Sequence, residues 1–142
     1  MKTFRAMIAL LVLFTSPVTE PQIHLLFNNY GEGDVLYMNR IALQRIFIRK
    51  DIFWPDGESI IVYTKPLSSI EHRDFVLNML RMSLYNYQKG LEANTYAAKS
   101  YPPVELKNDL SMITAVYKNS GSIGYLNYEP VAHGKIIKIL GY

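Results

Sequence analysis

The segment Ser59–Thr64 constrains the fold more than any other part of the chain. Ile60, Ile61, Val62 and Tyr63 form a nearly continuous apolar run. A strand with one wet face alternates apolar and polar residues, whereas a run without polar interruption suits a sheet covered on both faces. Other segments read as strands beside it. Gln22–Phe27 is the first, bounded by Pro21 and Asn28-Asn29, and Ser122–Asn127 and Lys135–Leu140 close the chain. Helical patterns lie between them. Asn39 caps a helix to Ile48 with Ile41, Leu43, Ile46 and Phe47 as its buried side. A second helix follows Ser68-Ser69, with Phe75, Val76, Met79 and Leu80 as its apolar stripe. Ser83 caps a third, reaching about Ala97, with Leu84, Tyr87 and Leu91 on one side. Asn108 caps a fourth, with Leu110, Ile113, Val116 and Tyr117 at helical spacing. Strands alternating with helices predict an α/β fold: one lobe, a central mixed sheet flanked by helices. The Ile60–Thr64 and Ile123–Asn127 strands are expected to share that sheet.

Punctuation supports the same division. Trp54-Pro55-Asp56-Gly57 is a turn, because proline presets one backbone angle and glycine supplies a positive φ. Asn28–Asp34, with Gly31 and Gly33, is a loop, and Tyr101-Pro102-Pro103 breaks the chain before the last helix. Trp54 is expected to pack its turn against the preceding helix. With 142 residues, 49% of them hydrophobic, the chain can build one core but not two full lobes, each of which needs roughly 100 residues.

Charge and cysteine content narrow the function. The net charge is +3, of which Lys2, Arg5 and Glu20 contribute +1. No basic tract or RNA-binding signature is present, so nucleic acid is not an expected partner. With no cysteine, disulfides, thiolate metal sites and a cysteine nucleophile are excluded. Residues 1–19 resemble a secretory signal. Lys2 and Arg5 precede nine uninterrupted apolar residues, Ala6–Phe14, and then Ser16, Pro17 and Thr19. Nine residues are too few to span a bilayer, which takes about 20. The expected product is an exported, periplasmic domain covering 20–142. A buried N-terminal helix and an uncleaved anchor are the alternatives.

Three segments resemble, in order, the phosphate-binding proteins of ABC transporters. Leu43–Lys50 followed by Phe53-Trp54-Pro55-Asp56-Gly57 is similar to that family's helix end, tryptophan and turn. Ile60–Lys65, then Ser68-Ser69, then Phe75, resembles its strand, ligand loop and helix start. Gly121-Ser122-Ile123-Gly124-Tyr125-Leu126-Asn127-Tyr128 resembles its "GAIGYVEY" strand. The likeness spans about residues 39–130 and is nearest to short, single-lobe members of the superfamily. It implies a periplasmic module binding a small oxyanion such as phosphate. Lys65 falls at the family's loop arginine and Ser69 at its serine. Ile70 and Glu71 stand where glycine and threonine would be, and Arg49 replaces the usual glycine of the helix end.

The expected ligand-binding residues are therefore Lys65, Ser68, Ser69 and Arg73 at the start of the second helix. Free N–H groups and the helix dipole there favour negative charge. The competing reading is structural. Ser68 and Glu71 match a capping box, which would leave Lys65, His72 and Arg73 solvated. A ligand-free envelope protein that contacts an inner-membrane sensor or transporter is the alternative function. No cofactor is expected. His24, His72 and His133 lack metal-ligand spacing, and no serine sits in a nucleophile elbow. No catalytic constellation is visible, so an enzyme is not expected.

Overall fold

The computed structural model describes residues 23–28, 39–97 and 100–127. The signal segment, most of the Asn28–Asp34 loop, His133 and the Lys135–Leu140 strand lie outside the described residues. The elements are β1 (His24–Asn28), α1 (Arg40–Phe47), β2 (Ile61–Thr64) and α2 (Ile70–Asp74), which runs on into a wider π turn (Phe75–Met79). After them come α3 (Leu84–Ala97), β3 (Val104–Glu105), α4 (Asp109–Lys118) and β4 (Ser122–Leu126). One four-stranded mixed sheet has the order β1-β4-β2-β3. β1 is antiparallel to β4, with Leu25 opposite Tyr125, and β2 is parallel to both β4 and β3. The chain is thus an α/β fold, and β2 and β4 lie side by side as the apolar runs predict.

Alternation in β1 and β4 divides the core into two layers. Leu25, Phe27, Ile123 and Tyr125 face one side, where α1, the α2–π helix and α3 supply Phe47, Phe75, Val76, Leu80 and Tyr87. Leu26 and Leu126 face the other, where α4 supplies Met112 and Val116. Aromatic rings fill the first layer: Phe75 stacks flat on Tyr125 at 3.8 Å, and Phe47 meets Phe75 at 4.6 Å. Such pairs add about 0.5–1.5 kcal/mol each beyond burial. The second layer is thin because α4 lies close to the sheet at Gly124. A Cβ there would come within 2.5 Å of the Met112 sulfur and 3.2 Å of Val116 Cγ2.

Helix ends follow the sequence in most places. Asn39 accepts from the Ala42 N–H, Ser83 from that of Asn86, and Asn108 from that of Ser111. Four apolar positions depart from expectation: Ile41, Leu84, Leu110 and Tyr117 are exposed. In each helix the buried stripe is narrower than the apolar spacing, because each helix is covered only along its line of contact with the rest of the core. Met112 fills the place in α4 that Leu110 does not. The Trp54 turn is closed by Gly57 N–H to Trp54 O at 2.9 Å. Trp54 is buried. Its indole N–H donates to the Gly121 carbonyl at 2.9 Å, and its ring meets Phe27 edge-on, so it fastens the turn to β1 and to the residue leading into β4.

The end of α1 shows what Arg49 does in the place of a glycine. The Arg49 N–H bonds to Ile46 O and the Lys50 N–H to Arg45 O, the paired bonds of a Schellman ending. That ending puts Arg49 in the left-handed region, with φ of 62°. Its side chain is buried and donates to Ile60 O at 2.9 Å and Tyr101 O at 3.1 Å. Burial lowers its pKa from the usual arginine value. The residue clamps α1, the start of β2 and the chain before β3. That chain carries Pro102-Pro103 into a two-residue strand at the sheet edge, where Val104 is exposed.

Two outcomes follow for stability. Gly121 has φ of 78°, and a Cβ there would lie 2.6 Å from Ser59 O. Gly121→Ala should therefore destabilise by about 2–4 kcal/mol, through left-handed strain and overpacking together, as read by urea unfolding. Arg49→Ala keeps the strained backbone and loses the clamp, whereas Arg49→Gly loses the clamp but relieves the strain. The glycine variant should be the more stable of the two by about 1 kcal/mol in the same assay.

Candidate functional site

Three parallel strands end on one side of the sheet, and the polar residues of interest gather there. β2 ends at Thr64 and delivers Lys65 and the turn into α2. β3 leads through Leu106 to the start of α4, and β4 brings Tyr125. In open α/β sheets the crevice outside the carboxyl ends of the strands is where ligands bind.

The cap of α2 lies one residue later than Ser68 and Glu71 suggest. Ser69 is the N-cap, and its oxygen accepts from the His72 N–H at 3.2 Å. Its hydroxyl donates to Pro66 O at 2.6 Å, and its backbone N–H reaches the same carbonyl at 2.9 Å. The Pro66–Ser69 turn selects Ser69 over Ser68, because only Ser69 is held against both the turn and the helix. The capping box is therefore corrected: Glu71 is exposed and Ser68 stands outside the helix, also exposed.

Lys65 and His72 are not solvated, contrary to the structural reading of the sequence. Lys65 is 3% exposed, and its ammonium pairs with the Asp109 carboxylate at the start of α4. Its backbone N–H donates to the Tyr125 hydroxyl at 3.0 Å. That hydroxyl lies 2.8 Å from His72 Nδ1. The phenol oxygen accepts from the Lys65 N–H, and the imidazole tautomer decides which of the phenol and Nδ1 donates to the other. His72 is 1% exposed, and burial lowers its pKa from 6.5 to about 4. Burial raises Tyr125 well above the ordinary phenol value, against a smaller lowering by the Lys65 N–H. His72 and Tyr125 are thus both uncharged at neutral pH. Tyr87 packs edge-on against His72 at 5.2 Å.

Of the four expected ligand residues, the fold brings Lys65 and Ser69 together in one turn. Both already have partners: Lys65 has Asp109, and Ser69 has Pro66 O and the His72 N–H. Ser68 and Arg73 are exposed on the outer side of the turn and helix. Asp109, Tyr125 and the buried His72 are what sequence reasoning missed. Asp109 follows the Asn108 cap, where an acidic residue is ordinary, and nothing in the spacing ties it to a lysine 44 positions earlier. Among the described residues no group of three His, Asp or Glu side chains could hold a metal ion, and no helix is long and apolar enough to cross a membrane.

The class that fold and site define is a single α/β lobe with a polar, internally paired strand end. No protein-family model matches the chain, and no curated protein matches it.

The buried groups make two further outcomes measurable. The unfolded chain takes up a proton at His72 near pH 6.5, but the folded chain does so only near 4. Stability contributed by neutral His72 is complete above pH 6.5 and is lost as pH falls towards 4. The loss should be about 3 kcal/mol, visible in chemical denaturation, and largely absent in His72→Gln. Asp109→Asn strands a buried ammonium, whereas Lys65→Met leaves a half-exposed carboxylate in water. The first should cost about 2–3 kcal/mol and the second distinctly less.

Proposed function

We propose that the chain is a periplasmic binding module, a single lobe related to transporter substrate-binding proteins, whose strand-end surface contacts an inner-membrane partner protein. The observation that carries this reading is the Lys65–Asp109 pair. The cation best placed to hold an anion is neutralised by the chain's own carboxylate. An oxyanion at the start of α2 would have to displace Asp109, compete with the hydrogen bonds of Ser69 and approach the acidic Glu71. What the same surface offers outward is apolar. Leu67 and Ile70 beside the α2 turn are exposed, and so is Leu110 next to Asp109. Apolar side chains rimmed by Ser68, Arg73 and Glu71 suit protein contact better than capture of an ion.

The anion-binding reading retains one supporting observation: Ser68 and Arg73 are exposed at the same turn, and an anion that displaced Asp109 would gain Lys65 as well. Contacts there are open to water and screened, so affinity would be on the order of tens of micromolar or weaker. Calorimetry with phosphate and sulfate separates the readings. The expected result is no saturable heat at millimolar anion. Saturable binding that disappears in the Lys65→Ala, Ser69→Ala double variant would restore the anion site and reject the partner reading. A photo-crosslinker at Ile70 or Leu110 should give an adduct with one inner-membrane protein in whole cells. The same group at Tyr117, at the far end of α4, should not.

A further inference from the structure

The chain between β2 and the π turn hangs from one buried side chain. Between Lys65 and Phe75, His72 is the only buried residue. Leu67, Ser68, Ile70, Glu71 and Arg73 are exposed, and Pro66, Ser69 and Asp74 are half-buried. The hydrogen bonds of Ser69 stay inside the segment, on Pro66 O and the N–H groups of His72 and Arg73. Among the described residues, the bond between His72 Nδ1 and the Tyr125 hydroxyl is the one that ties residues 66–74 to the sheet. From Phe75 onward the chain is held differently. Phe75, Val76, Met79 and Leu80 are buried, and Gln44 donates to Leu80 O at 2.6 Å. A segment with few buried apolar contacts can open by itself, without the rest of the fold.

That tie suits a neutral ring. Nδ1 meets a phenol oxygen that already accepts from the Lys65 N–H, and Nε2 is buried without a partner. A protonated imidazole carries a proton on both nitrogens, so its Nε2–H would have no acceptor there. Its charge would have no carboxylate either. The groups facing the ring are Tyr125 from β4 and Tyr87 from α3, while Lys65 at the end of β2 turns its ammonium to Asp109 on α4. The π turn brings no titratable side chain. Glu71 and Arg73 on α2 and Glu105 on β3 are exposed, and no carboxylate among the described residues pairs with His72. A buried charge without a partner is costly, and the same charge in water is not.

We propose that residues 66–74 form an acid-released latch: on protonation His72 leaves the core and this segment unwinds, while the sheet and the π turn keep their packing. The folded chain takes up the proton by opening the turn, and Leu67 and Ile70 are displaced with it. The latch is a property of the chain alone, so it holds whether or not that surface meets a partner protein.

The test is an NMR titration of the full chain from about pH 7 to about pH 3.5, a span that brackets histidine protonation. Two sets of signals are followed: the His72 ring with the Ile70–Asp74 amides, and the Trp54 indole N–H with the Ile123 and Tyr125 amides. The Trp54 N–H reports the native sheet because it donates to Gly121 O beside β4. The first set should move to the positions of a solvated, unstructured segment with one midpoint near pH 4, and the second should stay native. His72→Gln should abolish the step. Tyr125→Phe keeps a ring on Phe75 and loses the hydroxyl. It should raise the midpoint by about one pH unit, a tenfold easier opening, and it decides the matter with the wild type should the His72→Gln chain fail to fold. The inference is overturned if both sets are lost together, or if the ring titrates while the amides stay in place. It is equally overturned if the step survives in His72→Gln, which would assign it to Asp109 or another acid group, or if Tyr125→Phe leaves the midpoint unmoved.

Discussion

The Tyr125 side chain joins parts of the molecule that would otherwise have no common reference. It rises from β4, which lies between β1 and β2 in the sheet. Its ring lies flat on Phe75, so the α2–π helix is positioned by direct stacking on the sheet. Its hydroxyl meets the Lys65 backbone where β2 ends, and His72 where the helix has just begun. One residue thus sets the distance, the angle and the starting point of the turn between β2 and α2. The low dielectric around it strengthens those hydrogen bonds and equally raises the cost of disturbing them. Arg49 performs a similar service at the opposite end of β2, with backbone carbonyls as its partners.

Much of the fold was legible because the relevant signals are local. The apolar run at Ile60–Tyr63, the caps at Asn39, Ser83 and Asn108, and the turn at Trp54–Gly57 each depend on neighbours a few residues away. Local chemistry also explains why the sequence pattern puts the α2 cap one residue early. Ser68 and Ser69 are equivalent in composition, and only the Pro66 carbonyl, which the chain has to fold back to reach, distinguishes them. Ile41, Leu84, Leu110 and Tyr117 fit helical spacing yet face water, because spacing marks a stripe without giving the width of the surface it meets. The two-residue β3 is too short to carry a periodicity.

The candidate site was less legible for a different reason. A lysine, two serines and an arginine near a helix start describe donors, and donors are what an anion site needs. Whether a donor is available depends on long-range partners. Asp109 reaches Lys65 only because β3 and α4 return the chain to the same end of the sheet. His72 is flanked by charged residues and reads as surface, yet it lies on the inner side of α2 against Tyr125 and Tyr87. The fold therefore supplies the shape of a strand-end crevice while directing its polar groups inward, and this is what favours a protein contact over a captured ion.

The short β3 has a bearing on what one margin of the sheet can pair with. A sheet edge is a row of unpaired backbone groups that can recruit the edge of another molecule. Here the edge is entered through Pro102 and Pro103, which have no N–H to offer, and it ends after two residues at the charged Glu105. An incoming strand would find too few donors to pair with and a carboxylate to desolvate. The proline pair that breaks the chain thus also guards the β3 margin of the sheet, where an added strand would have little to fuse along.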